Sequence, residues 1–363
     1  MFYNLFIFFL YLSIFVSCIS QDTVFLSILL SFLSVSSGML FVIRSKKTLI
    51  IPKHFLIFTI FALILHLYIP FVQDKIQPFY YSAVISEALF YWLIFYNIEG
   101  GKLIAKRIFI TFSILYSSIL LITKTFDLNF FALAESIFQE APNKHYYYNC
   151  FWVPAIILLF EKELKKIKKD RLILIIAGIV FLIISDSRTS FVAFVLSIVY
   201  MIYKRYFVIE LKRKYIMIPV LLMGVLFVYL GVQKTTLFSR PYFAQSIQSF
   251  PQNPLGVGFG NFAQISDTFR GNENDWTPFS GNVHNIILES LSGVGVFTIL
   301  LVAFLFLIIK DVLLSKSEGI VWGAVVIFIL TSFMFDSSYA IPCFIWLLFI
   351  SLGIFQSKAL TSS

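Results

Sequence analysis

Charged side chains are scarce in this sequence. Asp, Glu, Lys and Arg make up 13% of its 363 residues, about half the roughly 25% usual in soluble globular domains. A chain so poor in charge, with 59% hydrophobic residues, is neither a soluble domain nor a disordered one. Cysteine is equally sparse. Cys18, Cys150 and Cys343 have no metal-ligand or redox spacing and read as small apolar fillers rather than as a pair. A small disulfide scaffold is thereby excluded. Phosphate-loop, dinucleotide, HExxH and GxSxG signatures are all missing, which disfavours an ATP-driven pump. No internal repeat of roughly 20–50 residues is visible, and no second domain is needed.

What is abundant is apolar side chain. Aromatic residues make up 18% of the chain, 44 of them Phe, and the mean hydropathy is +0.90. A membrane-crossing helix needs about 20 apolar residues for a core of about 30 Å. Twelve stretches qualify: 2–19, 23–43, 55–72, 79–97, 108–123, 146–160, 172–185, 190–203, 216–232, 284–309, 320–335 and 339–356. They are hydrophobic all round, without strict alternation, so they predict helices and not barrel strands. The first has no basic start and no small-residue cleavage site, so it reads as a retained helix. The expectation is an all-α polytopic integral membrane protein with about 12 transmembrane helices, residues 1–363 forming one transmembrane domain.

Sidedness follows from Lys and Arg. Of the 28 basic residues, 21 fall in every second loop, among them Arg44, Lys46, Lys106, Lys166, Arg213 and Lys310. Those loops are expected in the cytoplasm, together with both termini. The formal charge of +9 then concerns orientation and gives no reason to expect a nucleic-acid partner. The basic run 162–171 reads either as a regulatory patch or as a topology anchor beside anionic lipid, and the anchor is preferred.

Polar chemistry collects on the other face. Residues 124–145 form a shorter outer loop and 233–283 a long one of about 51 residues. Loops of that length are functional or disordered. Phe and Trp between its Gly, Pro, Asn and Arg predict a loop folded over the membrane surface. Within it, Pro254-Leu255-Gly256-Val257-Gly258-Phe259-Gly260 puts glycine at alternate positions, which permits φ > 0 and close backbone approach. Gly256 and Gly258 fit either a backbone rim for phosphate or sugar, or a tight re-entrant turn.

Several polar residues carry a double reading. Arg188 lies in a turn between two stretches too short to cross the core, about 21 Å each at 1.5 Å per residue. A guanidinium below the surface needs a wet cavity or an anion; the bland reading is an Asp186–Arg188 cap. Arg240 offers a fork matched to phosphate oxygens, or is an ordinary loop cation. His284 opens a helix and titrates near neutrality, as a base or merely as an interfacial polar group. Glu289, about 7.5 Å deeper along that helix, is an intramembrane carboxylate, either functional or bonded to a neighbouring helix. Glu87 and His66 read as structural pairs. Tyr146, Tyr147, Tyr148 and Trp152 suit sugar stacking, or the interfacial aromatic belt that is the commoner cause.

Together these residues resemble the O-antigen ligase and polymerase family, membrane glycosyltransferases of surface polysaccharide assembly. The resemblance rests on Asp186-Ser187-Arg188-Thr189, on Arg240 at the start of the long loop, and on the Pro-x-Gly-x-Gly stretch. It rests also on His284-Asn285 followed, nine residues later, by Gly295-Val296-Phe297-Thr298. The matched region covers about a third of the chain. The resemblance implies a GT-C-like fold and an inverting, metal-independent transfer without a cofactor at the periplasmic face of the bacterial inner membrane. Its donor is a glycan on undecaprenyl diphosphate. Arg188 and Arg240 would bind the diphosphate and His284 would serve the acceptor hydroxyl, with Asn285, Glu289, Gly256 and Gly258 supporting. Membrane lipids and a chain-length regulator are the further partners. A polymerase, with a second lipid-linked repeat unit as acceptor, is preferred slightly over a ligase to lipid A–core oligosaccharide; a third branch transfers to protein hydroxyls. A flippase or secondary transporter is the rival outside the class, but transporters show related halves with matching broken helices, and no such symmetry is seen.

Overall fold

The computed structural model describes residues 1–18, 23–45, 48–125, 149–159, 176, 178–180, 188–206, 241–270, 283–315, 319–335 and 337–359. Among the described residues there are thirteen α-helices and no strand. They are α1 (Phe2–Ser17), α2 (Val24–Ser45), α3 (Phe55–Tyr68), α4 (Ile76–Asn97), α5 (Gly101–Thr125), α6 (Asn149–Leu159) and α7 (Arg188–Tyr206). Two short helices follow, α8 (Pro241–Ser249) and α9 (Phe262–Arg270), and then α10 (Ile286–Val294), α11 (Thr298–Leu314), α12 (Ile320–Phe335) and α13 (Pro342–Ala359). Ten of the twelve apolar stretches coincide with these helices. The stretches 172–185 (but for 176 and 178–180) and 216–232 lie outside the described residues, as do the basic run 162–171 and most of the loop 124–145.

Among the described residues three helical segments are long and apolar enough to cross a membrane: Val24–Ser45, Ile76–Asn97 and Ile286–Leu314. The last is not the continuous helix expected from 284 to 309. It breaks at a 3-10 turn, Gly295–Phe297. Gly295 has φ +55, and a Cβ there would fall on the Pro254 carbonyl. The loop at Pro254 therefore wedges against the end of α10, where the helix breaks and restarts.

Two helices, α2 and α7, bury small and polar residues and expose large apolar ones, the reverse of a helix packed in water. On α2 the buried positions include Ser27, Ser31, Ser34 and Gly38, while Phe25, Leu29, Phe32 and Ile43 are each more than half exposed. α7 repeats this, with Ser190, Ala193 and Ser197 inside and Phe191, Val195 and Val199 outside. In water such an apolar surface is an aggregation liability. In lipid it costs nothing, and small residues are what let helices approach. A Cβ on Gly38 would come 2.8 Å from both Phe6 and Ile94, so α1, α2 and α4 meet at that glycine. The inward serines are hydrogen-bonded: Ser34 Oγ donates to the Phe6 carbonyl at 3.1 Å and Ser31 Oγ to the Tyr91 hydroxyl at 3.1 Å. Glu87, a buried neighbour of Ser31, belongs to this interhelical polar layer. His66 does not pair with it; its Nδ1 lies 2.9 Å from the Ala62 carbonyl of its own helix.

Further bonds between elements lie at the two ends of the bundle. At one end Lys53 and His54 meet Asp311 at 2.9 and 3.0 Å, Asn97 brackets Ile50, and Lys204 Nζ donates to the Ser315 carbonyl. At the other end Tyr80 donates to Ala340 O, Tyr68 to Gly256 O, and Asn261 Nδ2 to Asp74 O.

The glycine-rich stretch is a packing device. Gly256, Gly258 and Gly260 all have positive φ. The Val257 amide donates to Ser292 O at 2.9 Å and the Gly258 amide to Gly293 O at 2.8 Å, so the loop runs along the end of α10 like a paired strand edge. A Cβ on Gly256 would enter the Gly293 backbone, and one on Gly258 would come 2.7 Å from Pro78. Gly100 has φ +78 and open space around it. Alanine at 100 should therefore cost only the left-handed penalty, about 1–2 kcal/mol, whereas alanine at 256 must also displace backbone. Thermal unfolding in detergent should rank Gly256→Ala well below Gly100→Ala. Equal midpoints would show that the close approach does not exist.

Candidate functional site

The site is built where the long loop returns to the bundle. α8 and α9 pack on α10 around a small core of Phe243, Phe262, Ile265 and Val283. Pro241 occupies the first position of α8, where its missing N–H is no loss. Ser246 Oγ then donates to the Leu288 carbonyl at 2.8 Å, tying α8 to α10.

Three consecutive residues before α10 are fixed from both sides. The Val283 amide donates to Glu289 Oε2 at 2.9 Å, and the Tyr339 hydroxyl donates to the same oxygen at 3.1 Å. The Gly260 amide lies beside this carboxylate. Asn285 is the N-cap: its Oδ1 accepts the amides of Ile287 and Leu288 at 3.0 Å each, and its Nδ2 donates to the Met334 carbonyl of α12 at 2.8 Å. Between them His284 adopts φ 60. A non-glycine residue there carries a strain of order 1 kcal/mol or more and persists only where its surroundings over-determine it. The half-buried imidazole lies against the Tyr242 ring, centroids 5.3 Å apart and planes 34° apart. Val283, Asn285 and Glu289 thus set the backbone, and Tyr242 sets the ring.

One turn on from Tyr242, on the same face of α8, Gln245 is 2% exposed, and among the described residues its amide oxygen and nitrogen make no hydrogen bond. A buried amide without partners is expensive unless a ligand or water satisfies it. Tyr242, Gln245 and Tyr339 were not singled out from sequence. Only Tyr242 had a local signal, two residues after Arg240; Tyr339 acts through Glu289, 50 residues away in the chain, and Gln245 stands out only by its burial.

Arg188 is the first residue of α7. Tyr200 and Lys204, at the other end of that helix, bond to Val312 and Ser315, and a Cβ on Gly323 at the start of α12 would come 2.7 Å from the Tyr200 hydroxyl. Since α7 packs extensively on α12, it must run antiparallel to it. The Arg188 backbone therefore lies toward Phe335, at the end where Asn285 is hooked to Met334. Arg240 and Asp186 lie outside the described residues, as do Tyr146, Tyr147 and Tyr148. Trp152 is not a surface platform: it is buried, with its indole N–H donating to Ser117. The amides of Gly256 and Gly258 are already committed to Asn253 and Gly293, so the tight-turn reading of these glycines fits the geometry and the phosphate-rim reading does not. Among the described residues no cluster of His, Cys, Asp and Glu is arranged to hold a metal.

The fold and the polarity of its surface define a helical membrane protein with a clamped histidine at one end of the bundle. Neither the protein-family models nor the curated proteins contain a match to the sequence.

The clamp makes a stability prediction. Glu289→Ala leaves the Val283 amide and the Tyr339 hydroxyl buried without an acceptor, at about 1–3 kcal/mol each. Glu289→Gln keeps an acceptor oxygen and should unfold near the wild type. Thermal melts in detergent that place the alanine variant at or above the glutamine variant would show that the carboxylate is not the anchor. Asn285→Ala should lose about 0.5–2 kcal/mol as a lost cap.

Proposed function

We propose that this chain is a membrane glycosyltransferase that polymerises surface polysaccharide from undecaprenyl-diphosphate-linked repeat units. The observation that carries this reading is the left-handed, doubly clamped His284. A strained histidine held by buried polar groups at the end of a lipid-exposed helical bundle is a costly arrangement with no evident role in packing. It stands beside the residues on which the resemblance to the O-antigen ligases and polymerases rests.

The proposed reaction is a single displacement. The acceptor hydroxyl oxygen attacks the anomeric carbon of the donor, the bond from that carbon to the phosphate oxygen breaks, and the configuration inverts. The hydroxyl proton passes to His284 acting as general base. Negative charge builds on the departing lipid diphosphate, where Arg188 and Arg240 stabilise it electrostatically in place of a metal. Gln245 and Tyr242 supply a buried amide and a ring suited to a sugar. The lipid tail explains why the site is at membrane level. We take the sidedness from Lys and Arg, with twelve spans, both termini cytoplasmic and the site on the periplasmic face.

A ligase is the second reading, favoured by the nine-residue interval from His284-Asn285 to Gly295. Nine residues is the length of α10, from its Asn285 cap to its Gly295 terminator. The interval is thus explained by helix length, whichever acceptor is used.

Purified protein given lipid-linked repeat units and no added metal should produce longer glycans. His284→Ala should lower the rate by about 100-fold or more, as removal of a general base does, and Arg188→Ala and Arg240→Ala by a similar factor. Full activity of any of the three would exclude that residue from the chemistry. Transfer to added lipid A–core oligosaccharide, without chain growth, would decide for the ligase.

A further inference from the structure

The three cysteines have no informative spacing, yet the fold collects them. Cys18 follows the last residue of α1, and Cys343 is the second residue of α13. Their sulfurs are 3.4 Å apart although 325 positions separate them in the chain. The approach is held by backbone as well: the Cys343 amide donates to Ser17 Oγ at 3.2 Å, and α1 packs along α13. Cys343 is completely buried and Cys18 partly exposed. Cys150, at the start of α6, is buried in the same neighbourhood.

We infer that Cys18 and Cys343 are a disulfide site joining the first helix to the last. A disulfide needs its sulfurs at roughly 2.05 Å, so the pair has only a short distance to close. The sidedness read from Lys and Arg puts the end of α1 and the start of α13 on the outer face, where disulfides form and persist. This inference rests on that sidedness and not on glycosyl transfer. The oxidant is a protein disulfide of the outer compartment. The Cys18 thiolate, the more accessible of the two, attacks one sulfur of the oxidant and expels a thiolate, leaving a mixed disulfide. The Cys343 thiolate then attacks Cys18 Sγ and expels the second thiolate. Two cysteine thiols are oxidised, the oxidant's disulfide is reduced to a dithiol, and both protons end on that dithiol. The bond fixes the start of α13 four residues beyond Tyr339, whose hydroxyl holds Glu289. It would brace the His284 clamp from behind.

The test counts free thiols. Membranes are acid-quenched, denatured and treated with a polyethylene-glycol maleimide, with or without prior reduction. The wild type should take one adduct unreduced and three after reduction, and Cys150→Ser none unreduced and two after reduction. Three unreduced adducts on the wild type, or two on Cys150→Ser, would overturn the assignment. The second outcome would show that any bond involves Cys150. The count does not depend on catalysis, so it can fail while the polymerase reading stands, and the reverse.

Discussion

The structure around the site depends on one carboxylate. Glu289 sits inside the bundle with 1% of its surface exposed and accepts from the Val283 amide and the Tyr339 hydroxyl. In a low-dielectric interior such groups are either satisfied or very costly, so the two donors and the acceptor hold one another in place. Val283 is the last residue before the strained histidine, and Tyr339 sits in the turn between α12 and α13. The carboxylate therefore couples the re-entry of the long loop to the closing turn of the last helix pair. Asn285 adds a second coupling, from the start of α10 to the end of α12.

The membrane solvent explains why the interior has enough polar groups to do this. In water the hydrophobic effect fills a core with large apolar residues. In lipid no such force separates helix from solvent, and close packing with hydrogen bonding takes its place. Ser27, Ser31 and Ser34 of α2 and Ser190 and Ser197 of α7 face inward, while Phe25, Leu29 and Phe32 of α2 and Phe191 and Val199 of α7 face outward. A large aromatic core is present as well, with Phe58, Trp92, Phe304 and Phe349 in mutual contact. It lies where α3, α4, α11 and α13 meet and leaves the end of α10 free for polar contacts.

Much of the helical architecture was legible because hydropathy is a local property. The stretch 320–335 was read to the residue, but the helix expected to open at His284 begins at Ile286: Asn285 is its cap and His284 lies before it at a left-handed φ. Gly295 was visible, but as part of a family pattern; its physical role, making room for the Pro254 carbonyl, depends on a loop about 40 residues upstream in the sequence. For the same reason the break in 284–309 was missed. Alternating glycines signal close approach without naming what approaches, and the partner proved to be α10 instead of a ligand. Tyr339 and the Cys18–Cys343 contact were illegible, because each acquires its meaning from a partner that no spacing rule can reach, and Gln245 because its burial is set by packing between helices. Arg188 is different: its importance was argued from a charge in a turn between two stretches of about 21 Å each. But α7 runs 19 residues from Arg188 itself, about 28 Å at 1.5 Å per residue, so on this side of the turn the shortness expected from sequence is not found. The direction of α7 alone brings the Arg188 backbone toward the end where Asn285 meets Met334.

The two ends of the bundle are tied by different chemistry. Among the described residues both ion pairs involve Asp311, at the end away from His284. The ties at the His284 end involve no cation among the described residues: tyrosine and asparagine donate to backbone carbonyls, backbone amides pair with carbonyls, and the Glu289 carboxylate accepts from a neutral amide and a neutral hydroxyl. Such bonds are directional, so they fix the backbone on either side of His284 in a way that a solvent-exposed ion pair, loose in geometry and screened, does not. That is the condition under which a residue other than glycine is kept at a left-handed φ.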